Sequence, residues 1–491
     1  MKLNLRELFK LSAIYTLIGA LPPLLQLIVQ PVMEGKNKLG PVDFSQLAIL
    51  ETIISLVFVL TIHSVSYSIG RLYYDYMDDA KGYKKLVATS FISVIGRGLL
   101  LLAIGFIFSR QIGALFSQPA LQNFHSYGYV AIISGINRAL INAASILYRN
   151  EKRVFRFVII NVGLAVFRTL FQIIGVFYWN MSFLGYAYGT AIGSTIVVLI
   201  MMIVIFYRSG VTFDRKIFHE MNVYGRPLFY FSLLNWGLSF SDRFFLESNP
   251  VTLGIYDNAL KFALGIQLIL QGLQSASQPE IFRFMKEGIM EKIEEIKKIS
   301  NIQILQSELF IGLSILPTML FLFLFYKTDV RLSAGIIGIV YTKYILISSM
   351  IIFAMPLYYM KITKAFFYIN SSVVIINLGL NYLLIPFWGY YGAISASVLA
   401  LLAQTLLIYY YQNKRVPIPW NLTKLLWFPI SQVGVAIILE IIKIAFNLPA
   451  VLMSAILCFY IFSGVFILYQ NEIKMYSKRI YFFLNKNKFQ V

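Results

Sequence analysis

Cysteine occurs once in the 491 residues, at Cys458 inside an apolar run, which excludes a disulfide framework and a thiolate metal site. Histidine is nearly as scarce: His63, His125 and His219 include no pair at ligand spacing, so neither a metal nor a cofactor is expected. Charged residues make up only 13% of the chain, too few to clothe a soluble protein of this length. Long loops are missing too. No connector between apolar runs could hold a folded domain. No Asp-x-Asp or paired-carboxylate spacing stands in an outer loop for acid/base chemistry, so the chain is not expected to be an enzyme.

What fills the sequence instead is hydrocarbon: 58% of residues are hydrophobic and the mean hydropathy is +0.73. A helix needs roughly 20 apolar residues to cross a bilayer. Runs that long fall near 9–32, 45–68, 86–109, 123–148, 157–178, 183–207, 226–248, 254–281, 301–326, 337–360, 364–386, 389–411, 424–446 and 448–470. They predict an all-α polytopic membrane protein with about fourteen transmembrane helices. Lys2, Arg6 and Lys10 precede the first run, which lacks a small-residue cleavage site, so it reads as a retained helix and not a signal peptide.

The +20 net charge is unevenly placed. Loops carrying Lys81, Lys84, Lys85, Arg149, Lys152, Arg153, Arg208, Arg215, Arg283, Lys286, Lys297, Lys298, Lys414 and Arg415 alternate with loops holding little beyond Lys36, Lys38, Arg110, Lys327 and Arg331. An excess of about five to one makes the first side, with both termini, cytoplasmic. The charge is then a topology signal and a contact with anionic membrane lipid, and no nucleic-acid partner is expected. An internal repeat supports two lobes. Gly185, Tyr186 and Gly189 open a helix as Gly389, Tyr390 and Gly392 do, about 200 residues apart and in the same direction. The division expected is a six-helix lobe at 1–210, a second at 211–415, and an added helix pair with a basic tail at 416–491. The small-residue runs from Gly185 to Ser194 and from Gly392 to Ala400 suit close helix packing.

Isolated ionisable residues inside such runs mark a wet interior. Arg97, Arg138 and Arg168 lie near the centres of first-lobe helices, whose only acid is Glu51, placed toward the outer end of its own run. Spacings of seven and four set Asn161, Arg168 and Gln172 on one helical stripe. One reading makes these five residues a central cationic cavity for an anionic group. The other makes the arginines caps for backbone carbonyls at helix breaks. In the second lobe Asp242, Arg243, Asp257 and Lys261 cluster toward the outer ends of two successive helices, as an outer gate or lock. Asp257 and Lys261, four residues apart, are spaced to pair. Lys343 sits at a similar outer depth, within snorkelling reach of the interface.

The layout, with Leu39, Gly40, Pro41, Val42, Asp43 and Phe44 in the first lobe, and Ser241, Asp242, Arg243, Phe244, Phe245, Gly254, Ile255, Tyr256 and Asp257 in the second, resembles the polysaccharide-export and oligosaccharide-flippase family. That family belongs to the multidrug/oligosaccharidyl-lipid/polysaccharide (MOP) superfamily, which also holds the MATE multidrug exporters. The resemblance implies alternating-access transfer of a lipid-linked oligosaccharide, on a polyprenyl pyrophosphate, across the bacterial cytoplasmic membrane for surface polysaccharide or O-antigen synthesis. It also implies a polysaccharide polymerase and glycosyltransferases as candidate partners. Two relatives of that activity stand beside it: a cation-coupled drug antiporter and a peptidoglycan-precursor flippase. The antiporter needs mid-membrane carboxylates, and the first helix has none.

Overall fold

The computed structural model describes residues 5–35, 38–63, 65–362 and 364–474. Lys2, Lys36 and the basic tail from 475 onward, which contribute to the charge asymmetry, lie outside the described residues. The chain is helical throughout, and among the described residues the only strand-like pairing is an isolated bridge between Glu34 and Leu39. In order the helices are α1 (Leu5–Val29), α2 (Pro41–Ile62), α3 (Val65–Tyr76), α4 (Ala80–Ile107), two short turns α5 (Ser109–Gly113) and α6 (Pro119–Gln122), then α7 (Phe124–Asn150), α8 (Val154–Phe177) and α9 (Ser182–Ser209). There follow α10 (Arg215–Leu246), α11 (Pro250–Gly288), α12 (Ile293–Phe325), α13 (Ile337–Tyr359), α14 (Lys364–Trp388), α15 (Tyr390–Arg415), α16 (Phe428–Phe446) and α17 (Ala450–Leu468).

Thirteen spans among the described residues are long and apolar enough to cross a membrane. The fourteenth long helix, α10, is not among them: its first half carries Arg215, Lys216, His219, Glu220 and Arg226, and its second half Asn235, Asp242 and Arg243. The run expected at 45–68 is two helices, broken where His63 takes a left-handed conformation (φ 37°) after α2. The chain is thus a multi-pass membrane protein. Two compact units divide it: one takes 1–258 with 326–330 and 381–390, the other 259–325, 331–380 and 391–491.

In the first unit, α8 and α9 form a hairpin whose backbones touch. A Cβ on Gly175 would lie 2.0 Å from the Gly185 carbonyl oxygen, and one on Gly185 2.1 Å from that of Gly175. Gly189 and Gly193 meet the Phe171 and Phe167 carbonyls in the same way, at 2.3 and 2.5 Å. In lipid, where no hydrophobic force drives helices together, such close van der Waals approach is what holds a pair. The core of the unit lies beside it, with Phe91, Leu140, Leu147, Phe157 and Met201 buried among α4, α7, α8 and α9. In the second unit α17 lays Leu457, Cys458 and Ile461, all buried, against α12 and α13 at Gly312 and Gly338.

Gly185→Ala is expected to disrupt the α8–α9 hairpin, because backbone facing backbone has no side chain that can move aside; overpacking of this kind costs about 1–3 kcal/mol even where relaxation is possible. Gly379→Ala, at a position with nothing within 4 Å, is the control. Thermal unfolding of the two purified variants in detergent checks this, and equal melting temperatures would refute the seam.

Candidate functional site

Helix packing in the first unit sorts the three central arginines into different roles. Arg97, on α4, donates to the Thr61 carbonyl at 3.1 Å and the Ile62 carbonyl at 3.4 Å, and to Asn222 Oδ1 at 3.4 Å. These carbonyls are freed where α2 ends at His63, and a broken helix inside a bilayer must find donors for them. Arg97 is therefore placed to cap the end of α2.

Arg138 has a carboxylate. Its guanidinium pairs with Glu51 at 2.6 Å and donates to Ser55 Oγ at 3.2 Å. Glu51 is not at the outer end of its helix: it is the eleventh residue of the 22 in α2, near the middle. The helix starts earlier than the apolar run suggested, because the Asp43 carboxylate caps it by accepting from the Gly40 N–H at 2.8 Å. The side chains of Arg138 and Glu51 remain 49% and 35% exposed. A charged pair left that open in hydrocarbon would be costly, so the open side faces water.

Arg168, on α8, forms no ion pair or hydrogen bond with the described residues, and its Nε is buried without a partner. Its neighbour Tyr186 on α9 lies within electrostatic reach of both Arg168 and Glu51, and its hydroxyl accepts from Gln26 of α1. Trp236 of α10 donates to the Thr52 carbonyl at 3.2 Å, adding an aromatic ring next to Glu51. Gln26, Tyr186 and Trp236 were not legible in the sequence, since each sits in a run where aromatics and amides are common. The helical stripe is only partly a cavity lining. Asn161 donates to the Phe157 carbonyl at 2.9 Å, and Gln172, fully buried, donates to Thr190 at 2.8 Å. Both are engaged in contacts within and between helices, which sets them apart from Arg168 and the Arg138–Glu51 pair.

The expected outer cluster is a buried ion network. Arg243 Nε pairs with Asp257 Oδ1 at 2.8 Å, its Nη1 lies 3.4 Å from Asp242 and donates to the Ser239 carbonyl at 2.7 Å, and Tyr256 donates to Asp242 at 2.5 Å. Asp242, Arg243 and Asp257 are each at most 7% exposed. Arg243 is thus a partner of Asp257 across two helices. Lys261, in the second unit, is half-buried. Lys343, also half-buried, lies 5.7 Å from the Tyr344 ring centroid.

Two carboxylates that the sequence reading passed over clamp the neighbouring loops. Glu34, 2% exposed, accepts from the Lys327 and Thr328 N–H groups at 2.6 and 2.8 Å. Glu247, 3% exposed, accepts from the Ser117 and Gln118 N–H groups at 2.9 and 2.8 Å. Each lies shortly before the proline that starts α2 or α11, and those two helix starts touch: a Cβ on Gly254 would stand 2.2 Å from the Pro41 carbonyl oxygen.

Removing Arg243 strands two buried carboxylates, which typically costs about 3–5 kcal/mol. Arg243→Met is expected to fall sharply in membrane level and melting temperature, and adding Asp257→Asn is expected to recover part of both. A double variant no better than the single would show that the network does not act through charge compensation.

No curated protein sequence matches the chain. Among solved structures it is similar to the lipid II flippase MurJ in an inward closed conformation, at 12% identity over 94% of this chain and 99% of that one, with a TM-score of 0.68. It is also similar to a MATE-family multidrug resistance transporter of the MOP superfamily in an inward-facing conformation (15% identity, 80% and 98% covered, TM-score 0.64). A third is a MOP-superfamily transporter from Pyrococcus furiosus, described as having a binding pocket of reverse polarity (16% identity, 83% and 94% covered, TM-score 0.57). At these identities the likenesses establish the fold, that of the MOP-superfamily transporters. A family model described as polysaccharide biosynthesis protein matches residues 38–336, more than half of the sequence, and the chain belongs to that family.

Proposed function

We propose that the protein is a flippase that carries a lipid-linked oligosaccharide across the cytoplasmic membrane. The carrier lipid is a polyprenyl pyrophosphate, the lobes at 1–210 and 211–415 alternate access, and 416–491 is an appendage to them. The sugar and the phosphate cannot enter hydrocarbon, while the lipid tail can stay in it. The protein therefore needs a wet polar path and a positive charge free to meet the phosphate. The observation that carries this reading is Arg168. Of the three central guanidiniums it alone has no partner among the described residues, and it stands by Tyr186 near the water-facing Arg138–Glu51 pair.

The drug-antiporter reading needs a free central carboxylate, and Glu51 is held by Arg138. A peptidoglycan-precursor flippase needs the same pyrophosphate chemistry, and membership of the polysaccharide family favours the oligosaccharide. A polymerase and glycosyltransferases that extend or supply that oligosaccharide are the partners this activity calls for.

Charge at residue 168 is expected to matter more than size. Arg168→Lys keeps the point charge but loses the planar two-pronged contact with phosphate oxygens, so it retains part of the export. Arg168→Gln retains less, and Arg168→Glu abolishes export with the protein still inserted. Arg97→Gln differs in kind: it lowers the amount of folded protein, because the Thr61 and Ile62 carbonyls lose their donor. The measurement is surface-polysaccharide export in a flippase-deficient strain, normalised to membrane protein level; full export by Arg168→Glu would remove the anion-binding role.

Orientation has its own test. Reporter fusions at Asn413 are expected to read cytoplasmic, and fusions at Lys38 and Asp329 external. The reverse pattern would invert the proposed topology.

A further inference from the structure

The second unit contains a fully buried carboxylate for which the sugar-lipid pathway has no use. Glu308 is the sixteenth residue of α12 and has no solvent exposure. Its Oε1 receives a long hydrogen bond from the Tyr469 hydroxyl at 3.4 Å, and the same hydroxyl lies 3.3 Å from the Lys424 carbonyl. Its Oε2 has no partner. Gln432 of α16, also fully buried, lies close to this carboxylate.

Among the described residues, no ion pair balances Glu308. The charged groups facing it are Lys424, from the turn before α16, and Glu472, beyond α17, and they neutralise each other in a 2.6 Å pair. Lys424 Nζ also lies 4.9 Å from the Tyr469 ring centroid. The remaining neighbours on α12, Ser300, Gln303 and Ser307, are uncharged, and Ser307 is bonded to Ser348 of α13 at 2.8 Å. An ionised carboxylate here would be an uncompensated charge in a dry interior, and such a group takes up a proton instead.

The pocket above it supplies a route. A cleft of about 750 Å³ is lined by Lys297, Lys298, Asn301, Trp420, Lys424 and Glu472, among others. Asn301, one of these, lies seven residues before Glu308 on α12, about 10 Å along the helix. Asn301 donates to Glu472 at 3.3 Å and Glu472 pairs with the Lys424 ammonium at 2.6 Å, while the backbone carbonyl of the same lysine lies 3.3 Å from the Tyr469 hydroxyl that reaches Glu308, so Lys424 connects the cleft to the carboxylate.

We propose that Glu308 is a proton-binding site, holding its proton on Oε2 in this conformation and exchanging it with water of the Lys424–Glu472 cleft as the protein changes state. In release, the O–H bond of the carboxylic acid breaks and the proton passes to cleft water. The carboxylate left behind is then balanced by Lys424 turning toward it from Glu472, which lines the cleft. Coupling of this exchange to transport rests on the flippase reading above; the binding of the proton does not.

Infrared difference spectra of the full-length protein in lipid nanodiscs test the site directly. The wild type is expected to show a protonated-carboxyl carbonyl band at neutral pH that is lost in Glu308→Gln, shifted in Glu308→Asp, and unchanged when sodium chloride replaces potassium chloride. Absence of the band, or its persistence in Glu308→Gln, overturns the proposal. Loss of the band on adding sodium overturns it in favour of a metal-cation site. In cells, export by Glu308→Gln is expected to lose its response to collapse of the pH gradient by an ionophore; an unchanged response removes the coupling. The spectra require no export, so failure of the flippase reading leaves them interpretable.

Discussion

A charge taken out of water must be met by another charge, by backbone dipoles or by water, and in a chain that spans a bilayer this requirement sorts the ionisable side chains. Arg97 meets backbone carbonyls, Arg138 meets Glu51, Arg243 meets Asp257 and Asp242, and Lys424 meets Glu472. Once these are accounted for, two groups stand out. Among the described residues, Arg168 is a cation without a partner and Glu308 an acid without an ion pair. They lie in different units, and each is the centre of one proposal: an anion site and a proton site.

The family's sequence motifs take on physical content in this light. Asp43 caps its own helix and accepts from the Phe183 N–H at 3.3 Å, binding the start of α2 to the start of α9. Gly254 lets the first turn of α11 reach the Pro41 carbonyl, and Tyr256 and Asp257 in the next turn complete the network around Arg243. These motif residues are packing and locking devices. The groups suited to a phosphate, Arg168 and Tyr186, stand outside all but the glycine-rich helix start.

Glu34 and Glu247 add a second kind of lock. A carboxylate that accepts two backbone N–H groups holds the loop that carries them in one geometry. The two are placed alike, each just ahead of a proline-started helix and each gripping a loop distant in sequence: Lys327 with Thr328, and Ser117 with Gln118. Such clamps suit a transporter because hydrogen bonds exchangeable with water can be broken and remade as access alternates, whereas a welded apolar contact cannot.

By itself the sequence determined the class of the protein. Hydropathy and length require membrane helices, because backbone polar groups in lipid must be satisfied within the segment, and the glycine runs already marked where helices would touch. It also named the ionisable residues that matter, since burying any one of them is costly enough to need a reason. Tertiary structure decided what each of them does. A guanidinium that caps a carbonyl and one left free for a ligand look alike in a hydropathy plot, and only the break at His63 separates Arg97 from Arg168. Contacts between helices were likewise hidden: nothing in the local spacing of Asp257 tells that the packing of α10 brings Arg243 within 2.8 Å of it. Local spacing sets which side chains share a face, and the crossing of helices sets which face meets which.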